Sequence, residues 1–235
     1  MDLINQINTP VMNSKFLIYQ YFEEKSHHLN SKITFKYQDL SKKSISKYAH
    51  KFSIDYKFYD NGAPFLTYYG IFLPFLNGNY KNYDAICFID SDVLATIDAI
   101  DIFENIDINN INTLHMNTGP LVVEKINSEN PWNELGHANS GVVVFPKLIY
   151  EKIVKFLGDL SEHFKKNDHN YLGGYDQLVV NNFEKKHGFS NLNYKFNYHL
   201  GRYNVNERKN TYFIHYHRNF KKLMNQDIEK EWVLT

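Results

Sequence analysis

A single cysteine, Cys87, stands in 235 residues, which excludes an internal disulfide and a cysteine-rich zinc site and fits a reducing compartment. Arginine is nearly absent as well, with 3 Arg against 23 Lys, and the 26 basic side chains are balanced by 26 acidic ones. Zero formal net charge and no block of like charge argue against a nucleic acid or other polyanion as partner, because phosphates call for a basic face. Apolar runs all fall far short of the ~20 residues needed to cross a bilayer, so no transmembrane segment is expected. The stretch from Met1 to Lys15 lacks the charged and apolar regions of a signal peptide, and the expected location is the cytosol. Internal repeats, low-complexity tracts and Pro/Gly/Ser linkers are missing too. Chains usually split only beyond roughly 250 to 300 residues, so one domain over 1–235 is expected.

What is present is a 43% hydrophobic, 16% aromatic chain, enough to build one large core. Phe16 to Tyr21 is apolar, aromatic and uninterrupted, the composition of a buried strand. Ser41 to Lys51 reads as a helix, Tyr56 to Tyr59 as a short strand, and Pro64 to about Leu76 as a further helical stretch. Ala85 to Ile89 has no polar side chain and fits a strand covered on both faces. Gly141 to Phe145 is another short apolar strand. From Lys147 to Phe164, Ile149, Ile153, Phe156, Leu157, Leu160 and Phe164 recur at helical spacing. A shorter helix is expected near Tyr175 to Lys186, and Thr211 to Tyr216 closes the series as an aromatic strand. Strands alternating with helices predict an α/β sandwich.

Open α/β sheets bind ligands at the carboxyl ends of their strands, and the strand Ala85 to Ile89 ends in Asp90, Ser91 and Asp92. Alternate side chains of an extended segment share a face, so Asp-x-Asp can aim two carboxylates at one cation, with Mg²⁺ or Mn²⁺ suited to hard oxygen ligands. The competing reading is that these carboxylates cap a helix beginning near Asp98 or face water. Asn139 and Ser140 put an amide and a hydroxyl at the mouth of the strand that begins at Gly141, where a missing side chain permits close approach. His215 and His217 share one face of the last strand, and imidazole beside carboxylates favours manganese.

These residues carry a resemblance. Tyr69 to Phe103 contains Tyr-Gly-Ile-Phe-Leu-Pro-Phe-Leu, then Tyr-Asp-Ala-Ile-Cys-Phe-Ile-Asp-Ser-Asp-Val-Leu, then Ile-Asp-Ala-Ile-Asp-Ile-Phe, and it resembles the centre of glycosyltransferase family 8. The Asn-Ser-Gly strand at Asn139 to Phe145, the Asp-Gln helix start at Asp176 and the terminal histidine at His215 follow in the family's order. The resemblance implies the GT-A fold, a Rossmann-like three-layer α/β/α sandwich around a mixed, mostly parallel sheet. It further implies a metal-dependent glycosyltransferase that moves a sugar from a nucleoside diphosphate, UDP by analogy, to a hydroxyl of a glycan, lipid or protein, with retention of configuration. Carried over by position, Asp90, Asp92 and His215 would be the metal ligands. Asp90, Ser91 and Lys221 would hold the donor, with Tyr19 and Gln20 at its base, and Asp176, Gln177 and Asn139 would act at the transferred sugar. The chain departs from the family at Gly70, where an arginine is usual, at Leu178, where a second aspartate is usual, and at Arg218, where a glycine follows the histidine. No Pro-Trp follows Lys221.

Two other functions share parts of this pattern. Haloacid-dehalogenase-type phosphatases use an Asp-x-Asp after an apolar strand with Mg²⁺, which would make Asp90 the nucleophile and Asp92 the general acid. Their motif usually continues Gly-Thr, whereas Val93 and Leu94 follow here. A non-catalytic nucleotide-sugar binder would need the same fold without turnover.

Overall fold

The computed structural model describes residues 14–22, 31–61, 67–115, 138–166 and 176–235. Its nine strands among these residues are β1 (Phe16–Tyr21), β2 (Asp55–Tyr59), β3 (Ala85–Ile89), β4 (Val93–Ala95), β5 (Ile111–His115), β6 (Ala138–Pro146), β7 (Phe189–Asn191), β8 (Tyr198–His199) and β9 (Phe213–His215). The helices are α1 (Ser31–Lys51), α2 (Leu73–Leu76), α3 (Tyr150–Lys166), α4 (Asp176–His187) and α5 (Leu223–Glu229).

Six strands form one sheet in the order β2-β1-β3-β6-β5-β7, in which only β6 runs against the rest. The sheet is thus mixed and mostly parallel, as expected. Both of its faces are covered, which is why β1, β3 and β6 read as continuous apolar runs rather than alternating ones. Leu17, Tyr19, Ile86, Phe88, Val143 and Phe145 point to one face, and Ile18, Cys87, Ile89, Val142 and Val144 to the other. On the first face lie α2, α3 and α4, with Ile153, Phe156 and Leu157 of α3 at helical spacing and Val179, Val180 and Phe183 of α4. On the second lies α1, whose buried Ser41, Ser44, Ile45, Tyr48 and Ala49 form one helical stripe. The polar members of that stripe are satisfied by the chain after β3: Ser41 Oγ donates to the Val93 carbonyl at 2.6 Å and Tyr48 Oη to that of Ile100 at 2.8 Å.

The smaller sheet, β4-β9-β8, takes over where β3 ends. Val93 of β4 pairs with His215 of β9, and His199 of β8 pairs with the same histidine from the other side. Behind this sheet Arg208 makes a two-pronged ion pair with Asp227, from Nε at 2.7 Å and Nη2 at 2.6 Å, and Tyr216 Oη donates to Asp227 at 2.7 Å. This buried cluster anchors α5 to β9, across the segment that carries Lys221.

Several sequence expectations shift in detail. The helix expected from Ser41 begins at Ser31, and the one expected from Lys147 begins at Tyr150 after a 3-10 turn over Lys147–Ile149. Pro64 lies outside the described residues, and the helical stretch that follows is a 3-10 segment, Thr67–Phe72, leading into α2. No helix begins near Asp98. The nearest helical turn is 3-10, Ile102–Asn105, capped by Asp101, whose carboxylate accepts the Phe103 N–H at 2.9 Å. Asp90 and Asp92 therefore cap no helix there.

Candidate functional site

Asp90, Ser91 and Asp92 form the turn by which the chain leaves the large sheet and enters the small one. The Asp90 N–H donates to the Gly141 carbonyl at 2.8 Å, continuing the β3–β6 ladder by one step. At the other end the Asp92 carbonyl accepts the Tyr216 N–H at 3.0 Å. From beneath, the fully buried Gln20 donates through Nε2 to the Asp90 carbonyl at 2.9 Å and to Ser41 Oγ at 2.8 Å, and accepts from Tyr56 Oη at 2.8 Å. Every backbone group of this turn named here is tied to a different element, so the two carboxylates are held on rigid supports.

The pairing of β4 with β9 delivers His215 to the same place. One ligand atom each from Asp90, Asp92 and His215 lie within 4.8 Å of one another. His215 Nε2 stands 3.1 Å from Asp92 Oδ1 and 3.8 Å from Asp90 Oδ2, and Lys221 Nζ lies 3.0 Å from Asp92 Oδ2. Asp92 Oδ1 is buried and makes no hydrogen bond, His215 Nε2 lying close to it but outside hydrogen-bonding geometry. A buried carboxylate oxygen without a hydrogen bond is costly, and a cation among these atoms would relieve it. Two carboxylates with one imidazole are a donor set that fits Mn²⁺ and tolerates Mg²⁺. The residues present fit a divalent ion.

The charged groups of the cluster act strongly on one another. Burial alone would raise Asp92, but His215 and Lys221 override it and hold the carboxyl well below the usual range. Asp90 moves the other way, raised by burial and by the charge of Asp92. Burial would lower His215 and Lys221, yet the neighbouring carboxylates keep both above their ordinary values. His199, whose ring packs edge-on against His215 with centroids 4.9 Å apart, is lowered by burial and by the other histidines to about 2 and stays neutral.

Gly141 has a steric reason to be glycine. A Cβ built there would come within 2.3 Å of His215 Cε1 and 2.9 Å of Asn139 Oδ1, so the histidine ring occupies the space that a side chain would fill. Gly70, one of the departures from the family pattern, has a comparable cause: a Cβ there would run into the Tyr21 ring.

The structure thus brings together Asp90, Ser91, Asp92, His215 and Lys221, with Asn139 just behind. His217 is not part of the three-residue cluster, although its ring centroid lies 6.2 Å from that of His215. Asp176 and Gln177 open α4, where the sequence expects a helix start, and the Asp176 side chain lies outside the described ones. Two expected donor contacts are corrected. Tyr19 is fully buried, with its hydroxyl bonded to the Ile71 carbonyl and its ring against Phe88 and Tyr59, so no face is left for a nucleotide base. Gln20 is fully buried too and spends its amide on the acidic turn. Asn139, expected at the transferred sugar, is 5% exposed, and its Oδ1 accepts from the Gly141 N–H and from Asn197 Nδ2, both at 2.9 Å. Sequence reasoning misses Asn197 and His199. The only signal for them is their i, i+2 spacing, matching that of His215 and His217, at the start of β8, whose register with β9 sequence alone does not give.

No family profile and no curated protein matches the chain. Solved structures do. A glycosyltransferase involved in glycosylation of the major capsid of PBCV-1 superposes with a TM-score of 0.60 at 15% identity, over 90% of this chain and 98% of that one. The galactosyltransferase LgtC, in complex with donor and acceptor sugar analogs, gives 0.51 at 14% identity over 89% and 95%. The glycosyltransferase GlyE of Streptococcus pneumoniae TIGR4 also gives 0.51 at 14% identity, over 93% of this chain and 64% of that one. At such identities the likeness is one of fold, and the chain has the α/β fold of the GT-A glycosyltransferases.

Proposed function

We propose that this chain is a metal-dependent glycosyltransferase that moves a sugar from a nucleoside diphosphate, UDP being the favoured carrier, to a hydroxyl of a glycan, lipid or protein, with retention of configuration. The observation that carries this reading is the convergence of Asp90, Asp92 and His215 at the carboxyl end of β3, with Lys221 against Asp92. Open α/β sheets bind ligands at such ends.

Asp90, Asp92 and His215 would hold Mn²⁺ or Mg²⁺. The ion would supply electrostatic neutralisation of the departing diphosphate. Lys221, raised and part-exposed, adds a second positive charge at the same place, and its ammonium can donate to phosphate oxygens. The Ser91 hydroxyl belongs to the same turn. Asp176 and Gln177, at the first turn of α4, are our candidates for the groups beside the anomeric carbon, where a carboxylate can orient hydroxyls or offset an oxocarbenium-like charge. Asn139 supports the site from behind, its Oδ1 accepting from Gly141 and Asn197. No described helix is long and apolar enough to cross a membrane, and with a single cysteine we favour the cytosol.

The test is release of nucleoside diphosphate from a panel of sugar nucleotides. We expect release from a UDP-sugar with Mn²⁺ and none with chelator. Release from no donor, combined with metal-dependent hydrolysis of a generic phosphate ester, would overturn this reading in favour of a phosphohydrolase, which the glycosyltransferase fold disfavours.

A further inference from the structure

The geometry points to Asn197 and Asn139 as positioning residues that hold His215 in a single tautomer, with the proton on Nδ1 and the Nε2 lone pair directed at Asp90 and Asp92. This deepens the metal reading of the site and rests on it. Three strands from two sheets meet here: Asn139 from β6, Asn197 just before β8, and His215 from β9. All three side chains are buried, at 5%, 0% and 4% exposure, so water does not stand in for a missing partner.

The orientation of each group follows from one donor that has no alternative. The backbone N–H of Gly141 can only donate, so the atom of Asn139 that faces it at 2.9 Å must be Oδ1. That oxygen also lies 2.9 Å from Asn197, whose facing atom must then be Nδ2, because an oxygen there would oppose an oxygen. The remaining end of Asn197 is its Oδ1, which lies 3.0 Å from His215 Nδ1. An acceptor at that distance requires a proton on Nδ1. In the neutral ring Nε2 is left with its lone pair, and it is Nε2 that stands 3.1 Å from Asp92 and 3.8 Å from Asp90. A histidine that binds a cation through one nitrogen commonly has its other N–H held by an acceptor of this kind, which fixes the ring and raises its basicity. The chain of bonds also gives the Asn-Ser-Gly segment a second use: its glycine makes room for the ring and its N–H sets the orientation of both amides.

The experiment compares Asn197→Leu, similar in size without an acceptor, with Asn197→Asp, which keeps one. Mn²⁺ affinity is measured by electron paramagnetic resonance, and the protonated nitrogen of His215 is identified by ¹⁵N nuclear magnetic resonance with diamagnetic Mg²⁺. We expect Asn197→Leu to lose about ten- to a hundredfold in Mn²⁺ affinity and to lose the proton from Nδ1, whereas Asn197→Asp, which sets an oxygen against Asn139 Oδ1 but keeps the acceptor for His215, should keep the proton on Nδ1 and lose less affinity than Asn197→Leu. Wild-type affinity and an unchanged tautomer in folded Asn197→Leu would overturn the inference. Should that variant fail to fold, the wild-type spectrum decides, since a neutral His215 carrying its proton on Nε2 contradicts it directly. Failure of the underlying reading looks different: wild-type protein that takes up no Mn²⁺, or an affinity untouched by Asp92→Asn, removes the metal itself.

Discussion

Asp90 and Asp92 stand two positions apart on one turn and titrate in opposite directions, Asp92 held down by His215 and Lys221 and Asp90 raised by burial and by its neighbour's charge. Environment, not residue type, sets the difference. The same crowding makes position 141 intolerant of any side chain. Gly141→Ala would drive a methyl group into the His215 ring, and we expect a fall in Mn²⁺ affinity of about tenfold or more with the fold retained, measured by metal titration and circular dichroism. Unchanged affinity would show that the ring does not need its present place. At this scale the acidic pair, Gly141 and His215 are legible in the sequence because each belongs to a short local pattern delivered by an apolar strand. Asn197 is not, because its value arises only when β6, β8 and β9 come together. Tyr19 misleads for a related reason: an aromatic residue near the end of a first strand can line a ligand site or fill the core, and only the packing of Phe88 and Tyr59 around it decides.

Elements differ in how firmly they are held. β7 is an edge strand joined to β5, and Asp107 ties it down, accepting from Ser190 Oγ, the Asn109 N–H at 2.9 Å and Asn110 Nδ2 at 2.8 Å. The Ser190 hydroxyl and these donors pull the Asp107 carboxyl down to about 2. Because that lies below the value of about 3.9 for an unfolded aspartate, the carboxylate adds stability that is present above pH ~4 and is lost as pH falls through about 2. Asp107→Asn should therefore unfold at lower denaturant than wild type at neutral pH, and the gap should close towards pH ~2. A gap of equal size at both ends would contradict the assignment. In α3, Gly158 is exposed with nothing within 4 Å of an added Cβ. Gly158→Ala should stabilise the protein by about 0.5–1 kcal/mol in chemical denaturation, through backbone entropy and helix propensity alone. A loss of stability would show that this stretch of helix is not what holds the glycine. Among the helices α3 is legible from its periodic apolar face while α5 is not anticipated, and β1 and β3 are legible from their unbroken apolar runs. Of the three-residue strands, β9 lies within the expected Thr211 to Tyr216 and β4 is not anticipated, since such short segments gain their structure from their partners rather than from their own composition.

On the scale of the whole molecule, the fold places a rigid acidic turn at the junction of two sheets and brings the C-terminal strand and Lys221 back across it. The sequence resemblance reached this arrangement through the order of its motifs, although no family profile matches, because the spacing between motifs is set by how the strands pair and not by overall identity. The central claim is that this junction binds a divalent ion and a nucleoside diphosphate as one coupled site. Coupling of two ligands is reciprocal, so a diphosphate that needs the ion must also tighten it. The most direct measurement is a thermal-shift titration of wild-type and Asp92→Asn protein with UDP in the presence of Mn²⁺ or chelator. A ligand at a hundred times its dissociation constant stabilises the native state by about 2.7 kcal/mol. The account predicts a UDP-dependent shift of wild type with Mn²⁺, its loss in chelator, and its loss in folded Asp92→Asn. A shift of the same size in chelator, or in Asp92→Asn, would contradict it.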